Sequence, residues 1–456
     1  PPCNAACPAG ENIQAWLDLA QAGHYREAWQ ALIRDNPMPA VHGRVCYHPC
    51  EDACNRQHLD SAVSIHAVER FLGDRAIAEG WAVPRGAEPS AKRVLIVGAG
   101  PTGLSAAYHL TRLGHEVVIH EAGPLAGGML HFGIPAYRLP RDVLRAEIGR
   151  IEGMGVRIVL NHKVADLLAE REAGRFDAVF IAIGAHLSRR VDLPAREAGR
   201  MLDAVSLLRD VETGTAPRLG RRVVIYGGGN TAMDAARTAK RLGAEEALIV
   251  YRRDRAHMPA HDFEADEAMA EGVKIKWLST IKNFDSGELT VEVMRLDEQG
   301  WPHPTGEFET LEADTRILAL GQETDSLFLR AVPDIEFKRD GTVVVGTNMM
   351  TGHAGIFAGG DMVPGERSVT VAVGHGKKAA RHIDAWLRGS QYAPPPKPPV
   401  VGFALMALPI YSDAERRQQR ERSAEKRVQD FGEVVGGLGE RAARFEARRC
   451  LSCGNC

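Results

Sequence analysis

Two stretches of the chain repeat one order of residue types, and that repetition restricts the fold more than any other feature. The apolar run Arg93-Val-Leu-Ile-Val97 leads into Gly98-Ala-Gly100-Pro101-Thr102-Gly103, then a helix-forming stretch to about Leu113 and a second apolar run, Glu116–His120. The order returns at Arg222-Val-Val-Ile-Tyr226, Gly227-Gly-Gly229-Asn230-Thr231-Ala232, a helix to Leu242 and Ala247–Tyr251. A buried strand, a glycine turn, a helix and a second strand make up the repeating unit of a doubly wound sheet. Two such units imply two nucleotide-binding domains.

The glycines allow a tight turn and a close backbone approach, so that a pyrophosphate can sit on the helix N-terminus, where free amides and the dipole favour an anion. In the first unit Glu121 ends the second strand, where an acid accepts hydrogen bonds from ribose hydroxyls. The competing reading is a glycine turn needed only for strand–helix packing. In the second unit Ala232 takes the third glycine position, and the strand ends in Arg252-Arg253, with Arg255 nearby. Guanidinium groups there suit the 2′-phosphate of NADPH and favour it over NADH. The alternative is that these arginines pair with Asp254, Asp262 and Glu264. Late in the chain Phe357-Ala-Gly-Gly360-Asp361 precedes a helix-forming stretch, Thr370–Leu387. An aspartate there can hydrogen-bond the polyol chain of a flavin, or simply cap a helix. The order of these motifs places one nucleotide domain inside the other.

The eight cysteines all lie near the ends: Cys3, Cys7, Cys46, Cys50, Cys54, then Cys450, Cys453 and Cys456. A disulfide scaffold would spread its bridges through a small secreted domain, whereas clustered thiols in a long chain read as metal ligands. Iron–sulfur clusters need thiolates at short intervals. Zinc is the rival, but its usual C-x2-C pairs are missing from the N-terminus. A flavin takes up two electrons as hydride and releases them singly, which gives neighbouring one-electron carriers a purpose that zinc lacks. No C-x2-C falls inside a nucleotide unit, which argues against a thioredoxin-reductase-type disulfide enzyme. Helical spacing from Asn12 to Ile33, broken at Gly23, and a third helix from Ser64 to Ala78 make the first part of the chain a small helical module.

With 456 residues and a net charge of −3 the chain lacks the basic excess of a nucleic-acid binder, and it has no apolar stretch of about 18 residues to span a membrane. These features, with no leader, predict a soluble cytoplasmic protein. Residues 412–449 read as a solvated helical tail.

Several segments together resemble the small subunit of glutamate synthase and its relatives. They are Cys3-Asn-Ala-Ala-Cys7-Pro, Gly43-Arg-Val-Cys46 with Cys50 and Cys54, Gly127-Gly128-Met129-Leu with Tyr137-Arg138-Leu-Pro140, Gly227–Asp234 and Tyr251-Arg-Arg253. The opening Pro-Pro-Cys-Asn and the terminal cysteines are most similar to the sulfite-reductase-associated DsrL-like branch. The resemblance implies an α/β fold with two doubly wound domains, for FAD and NAD(P)H, one inserted in the other, an N-terminal α-helical iron–sulfur module and a helical C-terminal tail. The divisions expected are 1–87 for the [4Fe-4S] module, 88–190 and 326–411 for the FAD domain, 191–325 for the NAD(P)H domain and 412–456 for the tail.

It implies further cofactor-binding positions at Ala122, Gly128, Met129, Arg138, Gly184, Gly321, Ser368, Val369 and Thr370. One [4Fe-4S] cluster would take Cys7, Cys46, Cys50 and the carboxylate of Glu69. The second family cluster uses a pair upstream of the residue matching Cys3, and that pair is absent. Glu446-Ala-Arg-Arg-Cys450-Leu-Ser-Cys453 resembles it, displaced to the C-terminus, so Cys450 and Cys453 are expected to join Cys3 and Cys54. Cys456 would then begin a ferredoxin-like module.

The activity implied is an NAD(P)H:acceptor oxidoreductase with hydride transfer at flavin N5 and no general acid or base. Its electrons would pass through two clusters to or from a partner protein of sulfite reductase or ferredoxin type, with a homodimer as a further option. The alternatives are the electron-input subunit of a glutamate synthase or ferredoxin-NADP-type transhydrogenase, and a zinc-stabilised scaffold without activity.

Overall fold

A computed structural model describes residues 1–188, 200–285, 287–406 and 413–454. The expected divisions at 190 and 411, and Cys456, lie outside the described residues.

The strands are β1 (Arg93–Val97), β2 (Glu116–His120), β3 (Arg157–Val159), β4 (Ala178–Ile181), β5 (Arg200–Asp203), β6 (Arg222–Tyr226), β7 (Glu246–Val250), β8 (Lys274–Lys276), β9 (Ser279–Asp285), β10 (Glu288–Leu296), β11 (Pro302–Glu312), β12 (Thr315–Leu318) and β13 (Ile356–Ala358). Ten of them form two parallel five-stranded sheets, β13-β4-β1-β2-β3 and β5-β12-β6-β7-β8, and a further short antiparallel pair joins Leu187–Ser188 to Gln322–Glu323. The sheets have equivalent orders, with each glycine motif after the central strand, as in a doubly wound fold. Every strand of the second sheet lies between β4 and β13 in the chain. The backbone therefore leaves the first sheet, builds the second and returns to supply one last strand.

The helices that position the site are α1 (Ile13–Ala22), α2 (Tyr25–Leu32), α3 (Pro39–Val45), α4 (Ile65–Ala78), α5 (Pro101–Arg112), α6 (Asn230–Arg241), α7 (Val369–Leu387) and α8 (Glu440–Arg448). Gly23, at φ 90°, ends α1 in the left-handed conformation that glycine adopts without strain. Trp16, Trp29, Leu32 and Val68 of the N-terminal helices share one continuous core with Leu95 and Ile96 of β1 and Val373 of α7. The helical module and the first sheet are thus packed as one body. Lys377 of α7 ties them further, donating to Ala9 O at 2.8 Å and to Asp35 Oδ1 at 2.5 Å.

Two features differ from the sequence reading. An antiparallel sheet, β9-β10-β11, extends from the second nucleotide unit and packs Phe284, Leu289 and Val291 against Val224 and Val250. Nearly every residue of β11 is exposed, so it carries no alternating apolar signal. The C-terminal segment is not a solvated tail. Among the described residues its helices cover Ala424–Arg427 and α8, and Ala443, Glu446, Ala447 and Arg449 are buried against the module. No described helix is long and apolar enough to cross a membrane.

Candidate functional site

The first glycine turn leaves room above itself. Gly98 holds φ 106°, and a Cβ on Gly103 would fall 2.0 Å from the Gly98 carbonyl oxygen, so turn and helix touch backbone to backbone. Over Gly100 and over Gly184 nothing lies within 4 Å. Pro101 opens α5, whose first-turn amides lack intrahelical partners and face an anion favourably. Glu121 accepts hydrogen bonds from Ala99 N and Gly123 N, both at 2.7 Å, and so shapes the loop while each oxygen keeps acceptor capacity. Ala122 follows it.

Gly128 approaches Gly100 closely from the other side, with Met129 beginning the short helix after it. A Cβ on Gly360 would meet Thr102 Oγ1 at 2.3 Å, so the turn after β13 presses on the start of α5. Asp361 is half-buried there, and burial pushes its carboxyl pKa up. Ser368 caps α7 by accepting from Val371 N at 3.3 Å, leaving the Val369 and Thr370 end of the helix beside this cradle. The open space, helix end and acid fit a bound flavin dinucleotide.

Arg138, the expected cofactor-binding residue of this segment, is held in ion pairs with the second nucleotide unit. Its guanidinium binds Asp234 of α6 at 2.8 and 3.0 Å and also pairs with Glu264, clasping the two nucleotide units together.

The second turn repeats the first, with Gly227 at φ 142°, open space over Gly229 and a buried Ala232 inside α6. Asn230 Nδ2 donates to Tyr47 Oη at 2.6 Å, and its Oδ1 accepts from His261 N at 3.1 Å, so the helical module reaches this turn. Thr231 follows Asn230 in the first turn of α6, and Gly321 lies beyond β12 at φ 106°. Arg255 is paired with Asp262 and Asp266. Among the described residues Arg252 and Arg253 form no ion pair with a carboxylate, and Arg253 lies 4.9 Å from the Trp301 ring centre. That pair keeps its charge available for a phosphate.

The structure gathers the cysteines into two sets. Cys3, Cys54, Cys450 and Cys453 line one cavity, with Gln14, Leu17 and Ile65 as its walls. Cys7, Cys46, Cys50 and Glu69 form the other. Burial pushes the Cys46 thiol up to about 12, with the Glu69 carboxylate adding to the effect, and raises Cys7 with contributions from Glu11, Glu69 and Cys46. Burial, then the neighbouring Cys450 and Cys54, push Cys3 up to about 12. Thiols pressed together in this way resist ionisation unless a cationic group binds among them. Among the described residues no three cysteine sulfurs lie within 4.8 Å of one another. Tetrahedral zinc with Zn–S of ~2.3 Å would need sulfurs about 3.8 Å apart, while the larger iron–sulfur cube spreads its ligands. The donor sets fit clusters better than zinc.

Glu69 is fully buried, and burial followed by the neighbouring Glu11 carboxylate raises its pKa. Asn36 Nδ2 donates to Glu69 Oε1 at 2.6 Å and to Glu11 Oε1 at 3.1 Å, separating the two acids. The second set depends on Arg449, which is buried. Its guanidinium donates to Glu446 Oε2, Asp60 Oδ1, Ser61 O and Ala414 O at 2.7–2.9 Å, while Arg56 Nη1 donates to Arg449 O at 2.7 Å. Asn36, Arg449 and the Tyr47–Asn230 contact were not singled out from the sequence, because their partners are far away in the chain.

Residues 92–376 match the pyridine nucleotide-disulphide oxidoreductase family, and residues 1–81 match dihydropyrimidine dehydrogenase domain II with its 4Fe-4S cluster. The β subunit of NADP(+)-dependent formate dehydrogenase from Moorella thermoacetica is 39% identical over 99% of this chain and 70% of its own length. The glutamate synthase [NADPH] small chain of Escherichia coli is 34% identical over 85% of this chain and 89% of its own. The structure of Mycobacterium tuberculosis FprA in complex with NADPH has the same fold, with a TM-score of 0.54 at 17% identity over 68% of this chain and 88% of that one. With no cysteine between Cys54 and Cys450, the redox disulfide in the family's title has no counterpart in the nucleotide units. The chain belongs to the pyridine nucleotide-disulphide oxidoreductase family, as an FAD- and NAD(P)H-dependent iron–sulfur enzyme of the glutamate synthase small-subunit type.

Proposed function

We propose that this chain is an NADPH:acceptor oxidoreductase that relays electrons through two [4Fe-4S] sites to or from a partner protein. One observation supports the reading: the candidate ligands fall into two groups, Cys7, Cys46, Cys50 and Glu69 beside Thr370 of α7, and Cys3, Cys54, Cys450 and Cys453 around one cavity. Bound FAD would accept hydride from the nicotinamide at N5 and hand the electrons singly to the clusters.

The residues bind and orient. Gly98–Gly103 with Glu121, Gly128, Gly360 and Asp361 hold the flavin dinucleotide. Gly227–Ala232 hold the nicotinamide dinucleotide, and Arg252 and Arg253 select its 2′-phosphate. Cys7, Cys46, Cys50 and Glu69 ligate the first cluster, and Cys3, Cys54, Cys450 and Cys453 the second. In this reading the FAD domain spans 88–190 and 326–411 around an inserted NADPH domain. Clusters on reduced thiolates suit the cytoplasm.

The opening residues and the displaced terminal pair support a sulfite-reductase-type partner. Most of the glutamate synthase small chain is matched, which supports that enzyme's electron-input role as the second reading.

Anaerobic titration with NADPH and NADH, followed optically, tests the proposal. The flavin bands and the broad iron–sulfur absorbance should bleach in sequence, with NADPH effective at lower concentration. A colourless protein that holds zinc refutes it. Arg253→Ala should raise the apparent KM for NADPH roughly 10- to 100-fold, the loss of one charge-assisted contact of about 1.5–3 kcal/mol, and leave that for NADH nearly unchanged.

A further inference from the structure

The N-terminus of α7 touches both halves of the electron path. Ser368 caps it, and further along His375 Nδ1 accepts from Gly360 N at 3.1 Å, in the turn that presses on α5 and the flavin cradle. Two residues into the same end, Thr370 is only 4% exposed, and its hydroxyl donates to Cys46 Sγ at 3.0 Å. Cys46 Sγ also accepts from His48 N at 3.2 Å. The helix cannot easily drift from this contact. A Cβ on Gly374 would fall 2.2 Å from Pro8 O, one on Gly376 would fall 2.4 Å from Thr102 O, and Lys377 is anchored to Ala9 O and Asp35. A helix held this tightly fixes the hydroxyl against the sulfur.

We propose that Thr370 is a positioning residue that sets the reduction potential of the cluster held by Cys46, through a hydrogen bond from its hydroxyl to the ligand sulfur. This rests on the proposed cluster at Cys7, Cys46, Cys50 and Glu69. A donor to a ligand thiolate withdraws electron density from the cluster and stabilises its reduced, more negative state, so the potential rises. The same hydroxyl keeps the flavin-side helix in van der Waals reach of the cluster ligand.

The test compares wild type, Thr370→Val and Thr370→Ser as full-length holoproteins. Iron and acid-labile sulfide per flavin are counted first, and each cluster is then titrated with EPR detection. The isosteric Thr370→Val should shift one cluster signal to a more negative midpoint and leave the other in place, while Thr370→Ser, which keeps the donor, should restore the wild-type value. Equal midpoints in wild type and Thr370→Val at full iron content would overturn the proposal, as would a matching shift in Thr370→Ser. Should Thr370→Val bind less iron, Thr370→Ala removes the same donor without adding bulk and carries the same comparison. Absence of this cluster from wild-type protein would instead refute the ligand assignment on which the inference rests.

Discussion

The two proposed ligand sets are built in opposite ways. Cys7, Cys46, Cys50 and Glu69 all come from the N-terminal module, lie close in the chain and are enclosed by α4 and α7. Cys3, Cys54, Cys450 and Cys453 are drawn from two segments far apart in the sequence, and the bond from Arg56 to Arg449 alone spans 393 positions. The first set is mixed, with a buried carboxylate; the second is all thiol. A local set forms as its helices pack, whereas a set closed over most of the chain must offset a loop-closure cost and needs its own anchor. Arg449 and Glu446 supply that anchor. The contrast shows that a common donor chemistry can be reached either through local folding or through long-range docking.

The strongest way to break this contrast is Cys450→Ser. Iron and sulfide per flavin should fall by about half, leaving the EPR signal of the first set intact. Unchanged iron would remove Cys450 from the ligands and with it the picture of closure by chain ends. Next in size is Arg449→Met. It leaves the buried Glu446 carboxylate without its cation, while Asp60 keeps Arg56, and breaking a buried pair of this kind costs about 3–5 kcal/mol. Limited proteolysis should then release the C-terminal segment first, and iron should be lost from the second set alone. If both sets lost iron together, they would not be independent.

The smallest effect, and the one that sharpens the comparison most, is expected from Glu69→Gln. It keeps an acceptor for Asn36 and removes one negative charge. If the carboxylate binds iron as an anion, the first set's potential should rise by an amount worth up to about 3 kcal/mol per electron. No shift would remove the Glu69 carboxylate from the ligands of the first set.

How much of this was legible depended on the range of the signal. The glycine turns, the strand ends and the helices bounded by Gly23 and Ser64 are written in short, periodic patterns, and the structure has them within a residue or so. The grouping of Cys450 and Cys453 with Cys3 and Cys54 was suggested by a displaced motif, and the structure brings those four to one cavity. The antiparallel sheet stayed hidden, since the exposed β11 offers no alternation to read. The buried tail misled because its arginines and glutamates look solvated in sequence, yet Arg449 and Glu446 satisfy each other inside. The Thr370–Cys46 contact joins positions 324 apart, and nothing local marks either residue as the other's partner.

The dependence of one thiol set on α8 and the residues after it has a consequence for biosynthesis. Both nucleotide units precede that segment, so they can finish folding on the ribosome while the outer relay is still open. Only when that segment docks beneath Arg56 do the four thiols meet in one cavity. A product lacking it would keep both nucleotide folds and lose the outer half of the proposed relay.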